Sequence, residues 1–529
     1  MCGIAGVLKF DSENKVQQED VDKILDTFKY RGPDDRGIFM DSNIGLGHLR
    51  LSIIDLSEKG HQPMFYDNDN LVLVFNGEVY NYLELRDELM GLGYKFTSDT
   101  DSEVILASYK EWGSECVKKF NGMWAFVIWD KKENKLFASR DRFGIKPFHY
   151  FINDNEFVFA SEIKGLLAYL GKKPEIDYPF LYNFIDRRIP YENQKTVYKD
   201  IKVLAPAHNL VIEDGRVEIN RYWDVDLEYV KKKYDYSDPV KTFRDLLIDS
   251  VKLRMRSDVP VGVCLSGGVD SSVIAGILTK ILGLKIDSFS SIYKEKGYGE
   301  GEFIEKAVSK FKTNPSYIYP GVGDFKGIVD KLIHHHDLPV RMPGTYSQWH
   351  VMKCAKDKVV VTLDGQGADE LTGGYTHYYP FYLASLLKDF KIIKFFKTRG
   401  EVKKRLGINF DKDVIKSFLP KKMFKNKERW QDKVLSKEFL AKASQEIEDI
   451  PKRFGNKLDQ ALFETFVSTN LPMLLTFEDR ISMAFSLESR VPFLDYRLVE
   501  FVFGLSYEWK IKGYTNKYIL REAFKDILP

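Results

Sequence analysis

The stretch VPVGVCLSGGVDSSVIAG (259–276) decides how the chain folds. VPVGVCL reads as a buried strand, SGG as a turn, and SSVIAGILTKILG as a helix. A strand passing through glycines into a helix gathers free backbone N–H groups and a positive dipole end at one point. The glycines also let a phosphate approach the backbone. The lysine of a Walker-type loop is missing, so this is a different phosphate cradle. Downstream, KIDSFSSIY, SYIYP and VVVTL read as strands, and GEFIEKAVSKF between the first two reads as a helix. Strands alternating with helices predict a doubly wound parallel α/β sheet. From about Tyr378 the chain reads as mainly helical.

Upstream the rhythm differs. GIAGVL, IGLGHLRLSII, NLVLVFNGEVY, MWAFVIWD, KLFASR and EFVFAS are short β-rich runs separated by Gly, Asp and Asn. YNYLELRDELMGLG and SEVILASYKEWG are helical patterns. Residues 1–224 are therefore expected to form a strand-heavy α+β domain. RYWDVDLEYVKKKYDYSDP (221–239) reads as a polar linker into a second domain over 225–529.

A chain of 529 residues is too long for one core, and 44% hydrophobic with 29% charged residues is ordinary for a globular protein. A net charge of +2 gives no bulk attraction to nucleic acid or membrane, and neither is expected as a partner. The four cysteines, Cys2, Cys116, Cys264 and Cys354, form no CxxC pair and no disulfide framework, which points to a reducing, cytoplasmic setting. No signal peptide and no run of about 20 apolar residues is visible. Residues 388–433 hold 16 Lys/Arg against 6 Asp/Glu, a local +10. Interleaved Phe390, Ile392, Phe395 and Phe396 suggest a solvated helical insertion rather than a nucleic-acid patch.

Cysteine at position 2 carries a chemical meaning of its own. A thiol with a pKa of about 8.5 needs a base. An α-amino group titrates near 7.7–8.0 and suits that task. Removal of Met1, which a small residue at position 2 favours, would give Cys2 both nucleophile and base. Asn76 and Gly77 in FNGEVYN end a strand, where a side-chain amide and a backbone N–H can form an oxyanion hole. Arg50 can clamp a carboxylate, and Asp101 and the Glu78 region can hold an ammonium.

MCGIAGV, RGPD, HLRLSI, NGEVYN and TDSEV together resemble the class II glutamine amidotransferase domain, an N-terminal-nucleophile αββα sandwich. The resemblance implies that Cys2 attacks glutamine, that Asn76 and Gly77 stabilise the oxyanion, and that Arg50, Glu78 and Asp101 hold the amino-acid end. SGGVDSS, DGQGADELTGGY, SMAFSLESRVPFLD and NKYILREAF extend it, so that the whole chain is similar to the glutamine-hydrolysing asparagine synthetase family. That implies an ATP-pyrophosphatase domain in which aspartate becomes β-aspartyl-AMP and ammonia, carried internally, displaces AMP. Leu265, Ser266, Gly267, Gly268, Asp270, Ser271, Ser291 and Gly365 would bind ATP and pyrophosphate. Ser272 also matches the motif. Asp270 and Asp369 would hold Mg²⁺, Lys517 would serve as a catalytic cation, and Gln366 and Glu370 would face the acceptor and ammonia.

Two departures stand out. Some members carry Glu where this chain has Gln366, and Gln cannot take a proton. The base is thus unassigned, and amidation of a different carboxylate is a rival reading. A non-catalytic scaffold is a second rival, which the joint presence of Cys2, Asp270, Asp369 and Lys517 disfavours. The chain also ends at KDILP, soon after NKYILREAF, where relatives commonly continue. A homodimer is left open. His334–His336 offer a weak metal signal, because consecutive helical residues diverge.

Overall fold

Alternating apolar residues build the N-terminal part as two antiparallel sheets. The structure, a computed structural model, describes residues 2–11, 13–185, 194–293, 300–340, 344–419, 434–443 and 450–529. Its strands in this part are β1 Gly3–Lys9, β2 Asp35–Asp41, β3 Ile44–Arg50, β4 Met64–Tyr66, β5 Leu71–Val79 and β6 Gly122–Asp130. They continue as β7 Lys135–Arg140, β8 His149–Ile152, β9 Glu156–Ala160, β10 Ile201–Val203, β11 His208–Glu213 and β12 Arg216–Arg221. One sheet runs β10-β8-β9-β1-β3-β2, the other β12-β11-β7-β6-β5-β4. Ile4 and Leu46 from the first sheet and Val74 and Val127 from the second share one buried layer. This is face-to-face packing of period-two strands. Helices Gln18–Asp26 and Ile163–Leu170 cover the outer face of the first sheet, and Tyr82–Gly91 and Asp101–Trp112 that of the second. The expected αββα sandwich results.

The second sheet system is parallel, as alternation predicted. Strands β13 Val261–Cys264, β14 Asp287–Ser291, β15 Asn314–Ile318, β16 Val361–Leu363 and β17 Glu488–Arg490 lie in the order β15-β14-β13-β16-β17. All four pairings are parallel. The strand order reverses at β13, whose carboxyl end opens onto the SGG loop. Open α/β sheets bind ligands at such a point. The remainder is helical, with Phe501, Phe503 and Leu498 in the shared core. Among the described residues no helix is long and apolar enough to cross a membrane.

Several local expectations are corrected. IGLGHLRLSII is not one strand, because pairing stops at Arg50 and the chain turns towards a left-handed Asp55. RGPDDRG is not wholly loop, since β2 begins at Asp35. The supposed linker contains helix Leu227–Lys233, capped by Asp226, and Tyr236 stacks on Phe501 at 5.2 Å. The three-residue β17 was invisible as a strand because Arg and Glu in it pair internally instead of following an apolar pattern. In the basic region, Phe390, Ile392 and Phe396 are exposed rather than core residues, and only Phe395 packs against the core. Lys391 and Lys394 pair with Glu508, and Arg399 with Asp411. Residues 420–433 of that region lie outside the described residues.

Candidate active sites

Cys2 sits immediately before β1, buried, where β1 and β5 bring their ends together. Its backbone N–H donates to Asn76 Oδ1 at 3.1 Å, and its thiol points to the Leu51 carbonyl at 3.9 Å. Burial pushes the Cys2 thiol above its ordinary pKa, so attack requires a base. The Asn76 Nδ2 is buried with no hydrogen-bond partner among the described residues, a donor free for an oxyanion. Gly77 has φ +153°, and a Cβ there would lie 2.1 Å from the Met123 carbonyl oxygen of β6. No other residue fits at that position.

Around Cys2, a cavity of about 30 Å³ is lined by Arg50, Gly77, Glu78 and Asp101 among others. That volume is about one water's share of liquid, so the site is closed around its own side chains. Arg50 is pinned: Nη1 donates to the Ser57 carbonyl at 2.9 Å and Nη2 to that of Asp55. Gly60 is needed there, since its Cβ would fall 1.9 Å from Arg50 Nη2. Asp101 is not the helix cap. Thr100 caps, accepting from Glu103 N–H at 3.2 Å, while Asp101 Oδ2 accepts from Val79 N–H at 2.8 Å. Burial raises Asp101 to about 7, and burial together with Glu488 raises Glu78. Arg490 Nη2 already lies 3.6 Å from Glu78, whereas no cation pairs with Asp101 among the described residues, so Asp101 awaits a positive charge.

The second site forms where β13 enters helix Val269–Gly276. Gly267 has φ +75°, and a Cβ there would strike the Ile304 nitrogen at 2.7 Å. Ser266 and Ser271 hold the turn, with Ser266 N–H donating to Ser271 Oγ at 3.3 Å and the two hydroxyls 3.2 Å apart. The loop borders a cavity of about 1140 Å³ lined by Leu265, Ser266, Gly268, Asp270, Ser271, Ser291, Gly365, Gln366 and Asp369, which is room for a nucleotide and an acid together. Gly267 and Glu370 do not line it. Glu370 lies behind, accepting from Tyr375 OH at 2.8 Å and Asn470 Nδ2 at 2.5 Å, and burial raises it to about 7.

Lys517 Nζ bridges Asp270 Oδ2 at 2.6 Å and Asp369 Oδ1 at 2.7 Å. Burial works against the ammonium, but the two carboxylates outweigh it and hold Lys517 above its ordinary pKa. Burial lifts Asp270 to about 6 against the pull of Lys517, and its Oδ1 is buried without a partner among the described residues. Gly374 makes room for the bridge, since a Cβ there would lie 1.6 Å from Asp369 Oδ1 and 2.2 Å from Lys517 Cε.

Sequence reasoning missed the residues between the sites. Arg31 Nε donates to the Cys2 carbonyl at 3.0 Å, and its Nη1 and Nη2 donate to Asp479 at 2.9 and 3.0 Å. Glu478 Oε2 accepts from Gln348 and Gln366, and Oε1 from Ser489 Oγ at 2.6 Å. Arg490 Nε donates to Glu488 Oε1 at 2.6 Å, and Nη2 lies 3.6 Å from Glu78. Side chains that meet across 448 positions leave no local signal in the sequence. A smaller cavity of about 120 Å³ shares Met473 and Phe477 with the large one and also meets Asp479 and Arg480. His336 is buried, with Nδ1 2.7 Å from the Leu332 carbonyl, and His335 packs on Tyr30 and Trp349.

A buried cysteine beside an unpartnered amide nitrogen, and a glycine-rich loop over two carboxylates and a lysine, define a two-site nucleophile and nucleotide enzyme. Residues 1–223 match the family described as glutamine amidotransferase domain and residues 242–529 the one described as asparagine synthase; the chain belongs to the asparagine synthase family. It is 34% identical to asparagine synthetase 3, glutamine-hydrolysing, of Bacillus subtilis, over 100% of this chain and 85% of that one. A Methanocaldococcus jannaschii protein bearing the provisional name asparagine synthetase 2 is 40% identical over 77% of this chain and 82% of its own. Amidase chry2 of Gibberella zeae is 28% identical over 99% of this chain and 86% of its own.

Proposed function

We propose that the protein is a glutamine-dependent asparagine synthetase with two communicating sites. In the first, once Met1 is removed, the Cys2 α-amine takes the thiol proton as Sγ attacks the glutamine amide carbon. The oxyanion is met by Asn76 Nδ2 and the Gly77 N–H. The C–N bond breaks, ammonia leaves, and water releases glutamate from the thioester. Arg50, Glu78 and Asp101 orient the amino-acid end. Asp101, raised by burial, ionises when the substrate ammonium supplies its missing charge.

In the second site an oxygen of the aspartate side-chain carboxylate attacks the α-phosphorus of ATP and pyrophosphate departs. Ammonia then displaces AMP. Leu265, Ser266, Gly268 and Ser271 cradle the phosphates, with Gly267 shaping the turn and Ser291 and Gly365 at the cavity wall, and Gln366 faces the acceptor. Glu370 supports Asn470 from behind instead of meeting substrate. The observation that carries this reading is Lys517 bridging Asp270 and Asp369, three chain segments converging under one phosphate loop. A fixed cation there stabilises charge that develops on the α-phosphate. The donors are carboxylate oxygens and one, Asp270 Oδ1, is unsatisfied, which fits Mg²⁺. Asp270 and Asp369 would hold it, and it would neutralise pyrophosphate oxygens.

Gln366 and the amidase among the relatives favour a second reading, in which another carboxylic acid is amidated. One experiment separates the two. Purified protein receives glutamine, ATP, Mg²⁺ and a panel of carboxylic acids, and products are identified by mass spectrometry. Asparagine with equimolar AMP supports the first reading. An amide of another acid with none from aspartate establishes the second.

A further inference from the structure

Gln366 cannot take the proton that the chemistry releases at the amidation site. Amide formation from an acyl-adenylate and ammonia releases one proton for each molecule of product. Gln366 lines the cavity, and its Nε2 donates to Glu478 Oε2 at 3.4 Å. A second cavity-lining amide, Gln348, donates to the same oxygen. Ser489 on β17 holds the other oxygen at 2.6 Å. Two wall amides thus back onto one buried carboxyl that stands directly behind the wall of the acceptor chamber.

Nothing neutralises that carboxyl. Among the described residues no Lys, Arg or His pairs with Glu478, and the charged group that acts on it is another carboxyl, Asp364, itself on the cavity wall. Burial and then Asp364 raise Glu478 to about 8, against hydrogen bonds that pull it down. A buried carboxyl beside a second one, with no cation, is complementary to a small cation or to a proton carrier.

Position decides which cation. Glu478 and Asp479 are consecutive on helix Leu471–Met483. Asp479 turns to Arg31 and through it to the Cys2 carbonyl, while Glu478 turns to Gln366 and the nucleotide cavity. The hydrogen-bond path from Cys2 to the second site therefore runs through the helix that carries Glu478. Glu370 also backs onto a cavity-lining amide, Asn470, but among the described residues no hydrogen bond ties its helix Ala368–Thr372 to the Cys2 site.

We propose that Glu478 receives the ammonia nitrogen and accepts the proton released in amide formation, in place of an acid at position 366. This rests on reading the cavity as the amidation site. The nitrogen lone pair forms the C–N bond to the acyl carbon, and the carbonyl electrons move to oxygen. The C–NH₃⁺ group then gives a proton to the Glu478 carboxylate. The carbonyl reforms as the C–O bond to AMP breaks, and Glu478 returns its proton to solvent when product leaves.

The test uses the full-length enzyme with Glu478→Gln and compares four rates. Acceptor-dependent ATP–pyrophosphate exchange and glutaminase activity report the other steps. Amide formation from ammonium salts should fall about 10²-fold, the usual size of a lost proton transfer. Hydroxylamine, whose adduct nitrogen is far more acidic than that of ammonia and can lose its proton to water, should restore acyl transfer as hydroxamate. The double variant Glu478→Gln, Gln366→Glu should recover ammonia use. An unchanged ammonia rate in Glu478→Gln overturns the proposal, as does a loss that hydroxylamine fails to rescue while exchange persists. So does a hydroxylamine-rescued defect found in Glu370→Gln instead. The acceptor is the one the wild-type enzyme amidates in the panel. If that is not aspartate, the asparagine reading falls while the Glu478 comparison runs unchanged.

Discussion

Arg31 holds the Asp479 carboxylate with both terminal nitrogens, at 2.9 and 3.0 Å, while its Nε donates to the carbonyl of Cys2. Glu162 shares Nη1 at 2.9 Å, and all these side chains are buried. Burial opposes the guanidinium, yet Asp479 and Glu162 outweigh it and keep it charged. One helix of the C-terminal part is thereby tied to the nucleophile of the N-terminal part. Arg31→Met leaves two buried carboxylates short of a cation and should cost about 3–5 kcal/mol. Asp479→Asn removes one negative charge from a cluster that keeps Glu162, and should be milder. It should loosen the ratio of glutamate formed to amide formed. Chemical denaturation and product ratios measure both, and a ratio near one in Asp479→Asn would show that the bridge does not couple the sites.

Cys2→Ala should abolish glutamine hydrolysis and leave ammonia-dependent synthesis within about twofold, because no other thiol stands near Asn76. Cys264, the nearest thiol to the nucleotide cavity, is one of its lining residues and is raised by burial and by Asp364. It serves neither as nucleophile nor as substitute. Glutamate and asparagine are quantified separately with each nitrogen source. Loss of both activities in a folded protein contradicts independent sites.

The parts legible in the sequence were those whose signal is local. Periodicity gave the parallel sheet, and a Gly turn between β13 and its helix gave the phosphate loop. Position 2 gave the nucleophile candidate. The illegible parts depend on contacts between distant segments. Asp101 was legible by type as a holder of an ammonium, but its anchoring was not: Thr100 caps the helix, and Asp101 Oδ2 accepts from the Val79 N–H. Arg50 looked like a free clamp, yet carbonyls of Asp55 and Ser57 fix it in the loop. Phe390 and Phe396 looked like core residues by type alone, and exposure reverses that reading. Glu478 carried no mark at all, since its meaning comes from Gln366 112 positions away.

Gly374→Ala should strike adenylation alone. The added methyl would overlap Asp369 Oδ1 and Lys517 Cε, and one of the overlapping atoms belongs to a carboxylate already fixed by Lys517. The bridge must open to admit it. ATP–pyrophosphate exchange should fall at least about tenfold, with melting temperature lowered by a few degrees, as for strain of about 1–3 kcal/mol. Glutaminase activity of Cys2 should be unchanged. Undiminished exchange would mean that Lys517 need not touch Asp369 during turnover.

Glutamine binding should depend on pH through Asp101. Burial raises its carboxyl to about 7, so below that pH the folded enzyme holds it neutral, and above it as carboxylate. Only the carboxylate attracts the substrate ammonium, so affinity should rise as pH climbs through about 7 and level off above it. The same raised value has the opposite sign for stability. Unfolding lets Asp101 ionise near its ordinary value of about 3.9, so this group costs stability above that pH, and the cost reaches its full size above about 7. Asp101→Asn should therefore bind glutamine weakly at every pH and stabilise the unliganded protein above neutrality. Calorimetric titration in the Cys2→Ala background, which removes turnover, reads the affinity. A pH profile for Asp101→Asn that still climbs through 7 would assign the dependence to Glu78 or to the α-amine of residue 2.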